Sequence, residues 1–292
     1  MSELHKYILS IFRIMTSLIA VFPRDFLRRM GNLIGLGCYF LLPERRKIAI
    51  KNLSLAYGNE KSSDEIKKIT QQIFKNLCQI VFEVAWSKPI GLEELTDLIE
   101  TKGINHLHSA FGKGRGLLIM TAHIGNWELL PAVFVREKVP LNVVYRPLDF
   151  PPLNAFIDEY RTRFGLKTVS KSRSIRKLLN ALKDGEAVGL LMDQNVRKRL
   201  GVSTVFFGRP VQMNKGLALL ALKTGAPVLP AFLIRQGTQF KAEILPEIPL
   251  IRTGDKEKDI AVNSQQYNSV IEGYIRRYPE QWLWLHKRWK IR

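Results

Sequence analysis

The run TAHIGNWELLP, residues 121–131, places His123, Asn126 and Glu128 directly after the apolar stretch GLLIM. A histidine with one ring nitrogen hydrogen-bonded to a carboxylate has a fixed tautomer, a supported imidazolium form and a second nitrogen free to take a proton. Such a pair activates a hydroxyl. Against a carbonyl already activated by its leaving group, as in a thioester, it needs no covalent enzyme intermediate. Five residues apart on one continuous helix, two side chains diverge by roughly 140°. His123 and Glu128 therefore meet only if His123 lies in the turn before a helix, with Asn126 as N-cap and Glu128 in the first turn. A turn histidine followed by a capping glutamate would be written with the same letters, so the spacing alone does not decide between chemistry and capping.

Asp193 and Gln194 end the apolar run AVGLLM, the same kind of strand-end position as His123, and are expected on the same rim of a sheet. Two functional roles are open to them, orienting sugar hydroxyls or orienting the surroundings of His123; turn formation is the structural alternative. No other nucleophile has a supporting context. There is no G-x-S-x-G around any serine, and Cys38 and Cys78 have no neighbouring histidine, so both read as reduced packing residues. His106 and His108 have the spacing of a strand face but no acids or cysteines in a ligand pattern, which leaves them structural and the chain without an expected metal site. GKGRG at residues 112–116 lacks the G-K-[ST] ending and the following helix of a phosphate-binding loop.

The elements that must position these residues follow from hydrophobic periodicity. Ile66, Ile69, Ile73, Leu77, Ile80, Val81 and Val84 recur at helical spacing, so residues from about 44 to 100 are expected to be helical. From Gly116 onward, short apolar runs (GLLIMTA, LNVVYR, AVGLLMD, STVFF, PVLPAFLI, FKAEIL) alternate with helical stretches at 127–136, 153–164, 174–182 and 215–223. That alternation predicts an α/β fold: a mixed sheet flanked by helices, preceded by a helical part.

Residues 7–22 form a 16-residue apolar stretch interrupted by Arg13, with no cleavage site of the secretory kind. It is shorter than the roughly 20 residues of an upright span, so a tilted span and an interfacial helix are both open. Residues 26–42 carry Arg28 and Arg29 before GNLIGLGCYFLL, and Pro43 closes the segment. We therefore place a membrane-associating helical part at 1–43 and the remaining domain at 44–292. Formal charge is +19, from 45 Lys and Arg against 26 Asp and Glu, which favours phosphate, anionic lipid or an acidic protein as partner. Arg161, Arg163, Lys167, Lys171, Arg173, Arg176, Lys177 and Lys183 occur without an intervening acid; Arg197, Lys198, Arg199, Arg209 and Lys215 form a second such set. The C-terminal Trp282, Trp284 and Trp289 among Lys and Arg suit either a membrane interface or the edge of a core. A nucleic-acid binder would use the charge but leaves the apolar N-terminus and the His123 turn unexplained, and a non-catalytic membrane adaptor leaves the His and acid unexplained.

HIGNWE fits the H-x4-D/E motif of the lysophospholipid acyltransferase superfamily. Together with VYRPLDFPPLN, MDQN, VFFGRPVQMNKGLALLALKTGAPVLPAF and YPEQWLWLHKRWK, it resembles successive blocks of the bacterial late lipid A acyltransferases, the lauroyl and myristoyl transferases, over roughly residues 23–290. The resemblance implies transfer of a fatty acyl chain from acyl carrier protein, or alternatively a coenzyme A thioester, to a hydroxyl of a lipid A precursor. The expected place is the cytoplasmic face of the inner membrane, with no cofactor. It makes His123 the general base and Glu128 its partner, and gives Arg146 the binding of acceptor phosphate or sugar, a role suited to a bidentate guanidinium. Gly208 and Arg209 stand where the wider superfamily has an FPEG-like block, without that block's glutamate. This makes a glycerol-phosphate acceptor less apt and leaves Arg209 as a substrate-binding candidate. Another glycolipid, such as a phosphoinositol mannoside, or an aminolipid is the alternative acceptor.

Overall fold

In the computed structural model, which describes residues 2–58, 60–171 and 175–290, the chain opens with four long helices: α1 Glu3–Ala20, α2 Arg24–Leu41, α3 Pro43–Tyr57 and α4 Ser63–Ser87. Pro43 stands at the first turn of α3, where a missing N–H costs nothing. The Ser62 and Glu65 side chains close a reciprocal cap at the start of α4. On that helix Ile66, Ile73, Ile80 and Val84 are buried, whereas Val81 falls off the stripe and is exposed. The helices α5 Leu92–Asp97, α6 Ile104–Phe111, α7 Leu130–Arg136, α8 Pro151–Thr162, α9 Ile175–Lys183, α10 Gly216–Thr224 and α11 Lys256–Arg277 follow in chain order.

The strands are β1 Ile99–Lys102, β2 Leu117–Thr121, β3 Leu141–Tyr145, β4 Lys167–Ser170, β5 Ala187–Leu191, β6 Gly201–Phe206, β7 Arg209–Asn214, β8 Val228–Gln236 and β9 Gln239–Ile244. Seven form one sheet in the order β1-β9-β8-β2-β5-β3-β4, and β6 and β7 form a separate antiparallel pair. All neighbours in the large sheet are parallel except β8 and β9. All five residues of β2 are buried, as a strand flanked on both sides and covered on both faces requires. The expected α/β architecture is therefore the observed one, with boundary shifts and omissions. The sequence reading missed β1, β4 and β7, and it placed His106 and His108 on a strand face, whereas both lie on α6. The helix expected from Trp127 begins at Leu130 instead. Arg173 of the basic run, Ser174 at the expected start of α9 and Arg292 lie outside the described residues.

The N-terminal helices lie on the domain. Phe12 of α1 meets Phe156 of α8 edge-on with ring centroids 6.1 Å apart, and Arg13, the charge that interrupts the apolar stretch, forks onto Glu159. Helix α2 packs along α4 through Gly31 and Gly35, whose missing side chains let the two backbones approach. A Cβ on Gly35 would lie 2.4 Å from the Lys75 Cα. Such a contact must push the helices apart, and overpacking of this kind costs about 1–3 kcal/mol. Gly35→Ala is expected to lower the urea midpoint accordingly, while Gly37→Ala, with nothing within 4 Å of its Cβ, is expected to leave it unchanged or raise it.

Candidate active site

His123 stands two residues beyond β2, and Asp193 stands two residues beyond β5. The two strands are parallel neighbours with Thr121 opposite Leu191, so the register carries both residues to matching positions at the carboxyl edge of the sheet. Parallel strands lie about 4.8 Å apart, within reach of two short side chains. The result is a hydrogen bond of 2.8 Å between His123 Nδ1 and Asp193 Oδ1. The other carboxylate oxygen accepts from the Trp282 indole N–H at 2.7 Å. Asp193 is buried, which by itself raises a carboxyl pKa. His123 and the hydrogen bonds from His123 and Trp282 outweigh that penalty and bring it down to about 2. An ionised Asp193 favours the Nδ1–H tautomer of His123 and leaves Nε2 as the proton acceptor. Arg288, fully buried and brought down by burial to about 10, remains protonated at neutral pH, and its attraction to Asp193 partly offsets that lowering.

Glu128 does not make the bond expected of it. Its carboxylate is held by Arg161 of α8, at 2.9 Å from Nε and 2.5 Å from Nη2, and accepts a further hydrogen bond from the Trp127 indole at 3.1 Å. The Trp127 ring in turn meets the His123 ring edge-on at 5.0 Å. Glu128 thus reaches His123 only through Trp127. The physical reason is the late start of α7: residues 127–129 form a turn, with the Asn126 side chain accepting from the Glu128 N–H at 3.2 Å, and that turn directs the carboxylate towards α8. The backbone N–H groups of the turn are engaged as well, Gly125 with the Gln281 carbonyl and Asn126 with the Leu233 carbonyl, each at 3.0 Å.

Gly125 adopts a φ of +59°, and a Cβ there would fall 1.8 Å from the Leu233 carbonyl oxygen, so only glycine lets the chain cross β8 at this point. Behind the turn, Asn126 donates to Glu83 of α4 at 2.7 Å, and Glu83 is clamped by Arg235 of β8, with Nη2 at 2.6 Å. The C-terminal segment closes the other side: Leu283 N–H donates to the His123 carbonyl at 3.0 Å, and Trp282 bridges Ile124.

Of the remaining expected residues, Arg146 follows β3 on the same sheet edge but is exposed and paired with Asp149 at 3.1 Å. Gln194 is half-buried beside Asp193. Arg209 starts β7 in the separate strand pair, exposed, with Nε donating to the Leu55 carbonyl at 2.9 Å. Trp282 and Trp284 are buried in the main core and Trp289 is half-buried, which decides for the core edge over the membrane interface. The first basic run is not one free patch either: Arg161 pairs with Glu128, Lys167 with Glu186, and Arg163 lies 4.0 Å over the Tyr160 ring. Sequence reading missed Arg161 as the partner of Glu128, and it missed Glu83, Arg235 and the Trp282 indole. Contacts between residues 33 to 152 positions apart leave no spacing signal, although Trp282 does lie within a block already singled out.

The model of the bacterial lipid A biosynthesis acyltransferase family matches residues 1–291. The chain belongs to that family. The acyltransferase is 28% identical over 278 residues to a lipid A biosynthesis palmitoleoyltransferase of Escherichia coli, covering 92% of this chain and 87% of that one. It is 27% identical over 278 residues to the lauroyltransferase of the same organism, covering 94% and 89%. A phosphatidylinositol mannoside acyltransferase of Mycolicibacterium smegmatis is 28% identical over 202 residues, covering 68% and 64%. Acyl transfer in lipid A biosynthesis is thus the activity of the family to which the chain belongs.

The lowered pKa of Asp193 has a sign that can be checked. A depressed carboxyl stabilises the fold fully above its unfolded value of 3.8, and that stabilisation is lost as pH falls towards the folded value of about 2. The stability advantage of the wild type over Asp193→Asn, measured by urea unfolding, should shrink by about 2 kcal/mol between pH 4 and pH 2. A difference that stays constant through that window would show that the folded surroundings do not lower the Asp193 carboxyl.

Proposed function

We propose that the enzyme transfers a fatty acyl group from an acyl thioester, with acyl carrier protein as the favoured donor, to a hydroxyl of a lipid A precursor. The observation that carries this reading is the hydrogen bond between His123 and buried Asp193 at the carboxyl edge of the sheet. His123 Nε2 removes the proton of the acceptor hydroxyl as its oxygen attacks the thioester carbonyl. The tetrahedral intermediate collapses with cleavage of the carbon–sulfur bond, and the imidazolium returns the proton to the departing thiolate. Asp193 orients His123 and stabilises its charged form. Glu128 and Arg161 brace Trp127 against the imidazole and wall the adjoining cleft. Arg146, Gln194 and Arg209 are assigned to the acceptor side; Arg146 lies on the sheet edge two strands from His123.

The place of action is the cytoplasmic face of the inner membrane, with residues 1–43 as the membrane-associating part and 44–292 as the acyltransferase domain. Among the described residues no helix is long and apolar enough to cross a membrane. Leu4, Tyr7, Ile11, Ile14 and Leu18 form an exposed stripe along α1 at helical spacing, while Phe12 and Arg13 hold the opposite side to α8. That arrangement supports a helix lying in one leaflet. The likeness to the mycobacterial enzyme favours a second reading of the acceptor, a phosphoinositol mannoside.

The test is acyl transfer by the purified, detergent-solubilised enzyme, offered acyl carrier protein and coenzyme A thioesters with a lipid A precursor or a phosphoinositol mannoside. His123→Ala is expected to lose activity about 10²–10⁴-fold, as removal of a general base does, with Asp193→Asn losing more than Glu128→Gln. A His123→Ala variant with the wild-type rate would remove the assigned base.

A further inference from the structure

Beyond Asp193 the chain turns along a cleft of about 350 Å³ lined by Arg45, Asn195, Arg197, Leu285, His286 and Lys287, with no acid among them. A second groove of about 450 Å³ shares Lys287 and adds Lys47, Lys51 and Lys290; its one acid, Glu44, is neutralised by Lys47 at 3.1 Å. Arg45, Arg197 and Lys287 are exposed, and their side chains make no hydrogen bond or ion pair among the described residues. Three cations from three segments thus converge on one concavity without counter-charge.

The frame behind them is tied by hydrogen bonds. The Asn195 N–H donates to His286 Nε2 at 3.0 Å, and its side chain donates to the Lys290 carbonyl. Buried Asn52, on the same helix as Arg45, donates to the Trp284 and His286 carbonyls at 2.7 and 2.6 Å. Two of the three segments that line the cleft also start at the catalytic pair. Asn195 is two residues, at most about 7 Å of chain, beyond Asp193. The segment carrying Leu285 to Lys287 begins at Leu283, whose N–H holds the His123 carbonyl at 3.0 Å. The cleft thus lies along the two segments that lead away from His123 and Asp193.

We propose that this cleft is a phosphate subsite, in which Arg45, Arg197 and Lys287 grip a phosphate ester carried by one of the two substrates. The proposal rests on the acyl-transfer reading for its choice of ligand. Guanidinium forks match phosphate oxygens bidentately, and an ammonium adds a point charge. The two substrates of such a reaction offer two sources of this chemistry, the phosphorylated sugar of the acceptor and the phosphopantetheine arm of the donor.

Isothermal titration calorimetry on the full-length detergent-solubilised protein separates them, using glucosamine 1-phosphate and 4′-phosphopantetheine as probes, with glucosamine and pantetheine as their phosphate-free counterparts. Saturable binding of a phosphorylated probe, at least tenfold tighter than its counterpart, is expected. Arg45→Ala, Arg197→Ala and Lys287→Ala should each weaken it about tenfold, with Arg199→Ala, outside the cleft, within twofold of wild type. Preference for glucosamine 1-phosphate assigns the cleft to the acceptor, and preference for 4′-phosphopantetheine assigns it to the donor; either supports the subsite. Absence of binding, equal binding of the phosphate-free probes, or equal effects of Arg199→Ala and the cleft variants would overturn it. Because these probes undergo no acyl transfer, an active enzyme that fails to bind them refutes the subsite alone. A protein that binds them but transfers no acyl group refutes the functional reading alone.

Discussion

The hydrogen bond from His123 to Asp193 is the constraint around which the carboxyl edge of the sheet is arranged. It requires two parallel strands in fixed register, because a shift of one residue between β2 and β5 would move one partner off the edge and turn its side chain to the other face of the sheet. It also requires the carboxylate to remain ionised in a buried setting, which the Trp282 indole and His123 secure and to which the charge of Arg288 is favourable. The C-terminal segment is therefore part of the site. Its backbone holds the His123 carbonyl, and its indole fills the second acceptor position on Asp193.

The turn that carries His123 depends on a second buried arrangement. Gly125 allows the backbone to pass over Leu233, and Asn126 ties the turn to the Glu83–Arg235 pair linking α4 to β8. Breaking such a buried pair by removing one partner typically costs about 3–5 kcal/mol, because it leaves an uncompensated charge inside the protein. Helix α4 thus carries structure at two points along its length. Lys75 and Gln79 accept α2 through the glycines of GNLIG, and Glu83, one turn further along the same helix, supports the motif turn.

Much of the fold was legible in the sequence. Apolar runs bounded by turns gave β2, β3, β5, β8 and β9, and the stripe on α4 was readable from its period. Short edge elements such as β1 and β4 carry too few apolar residues to stand out, with IETK and KTVS alternating weakly. In the site, the strand-end positions of His123 and Asp193 pointed to a shared rim, but nothing in the sequence states that β5 lies beside β2. Chain order alone would have placed β3 there. Glu128 was expected to face His123 because a helix starting at Trp127 would take it there; the turn that replaces the first helical residues sends it to Arg161 instead. The charge excess was visible, but its division into paired arginines and the unpaired set around Arg45 and Arg197 depends on tertiary contacts.

The tautomer of His123 tests the central claim most directly, and ¹H–¹⁵N NMR of imidazole-labelled enzyme reads it. A downfield Nδ1 proton with unprotonated Nε2 near neutral pH, lost in Asp193→Asn and retained in Glu128→Gln, is the result expected of a histidine oriented by Asp193. An Nε2–H tautomer in the wild type, or an Nδ1 signal that survives Asp193→Asn and disappears in Glu128→Gln, would contradict it.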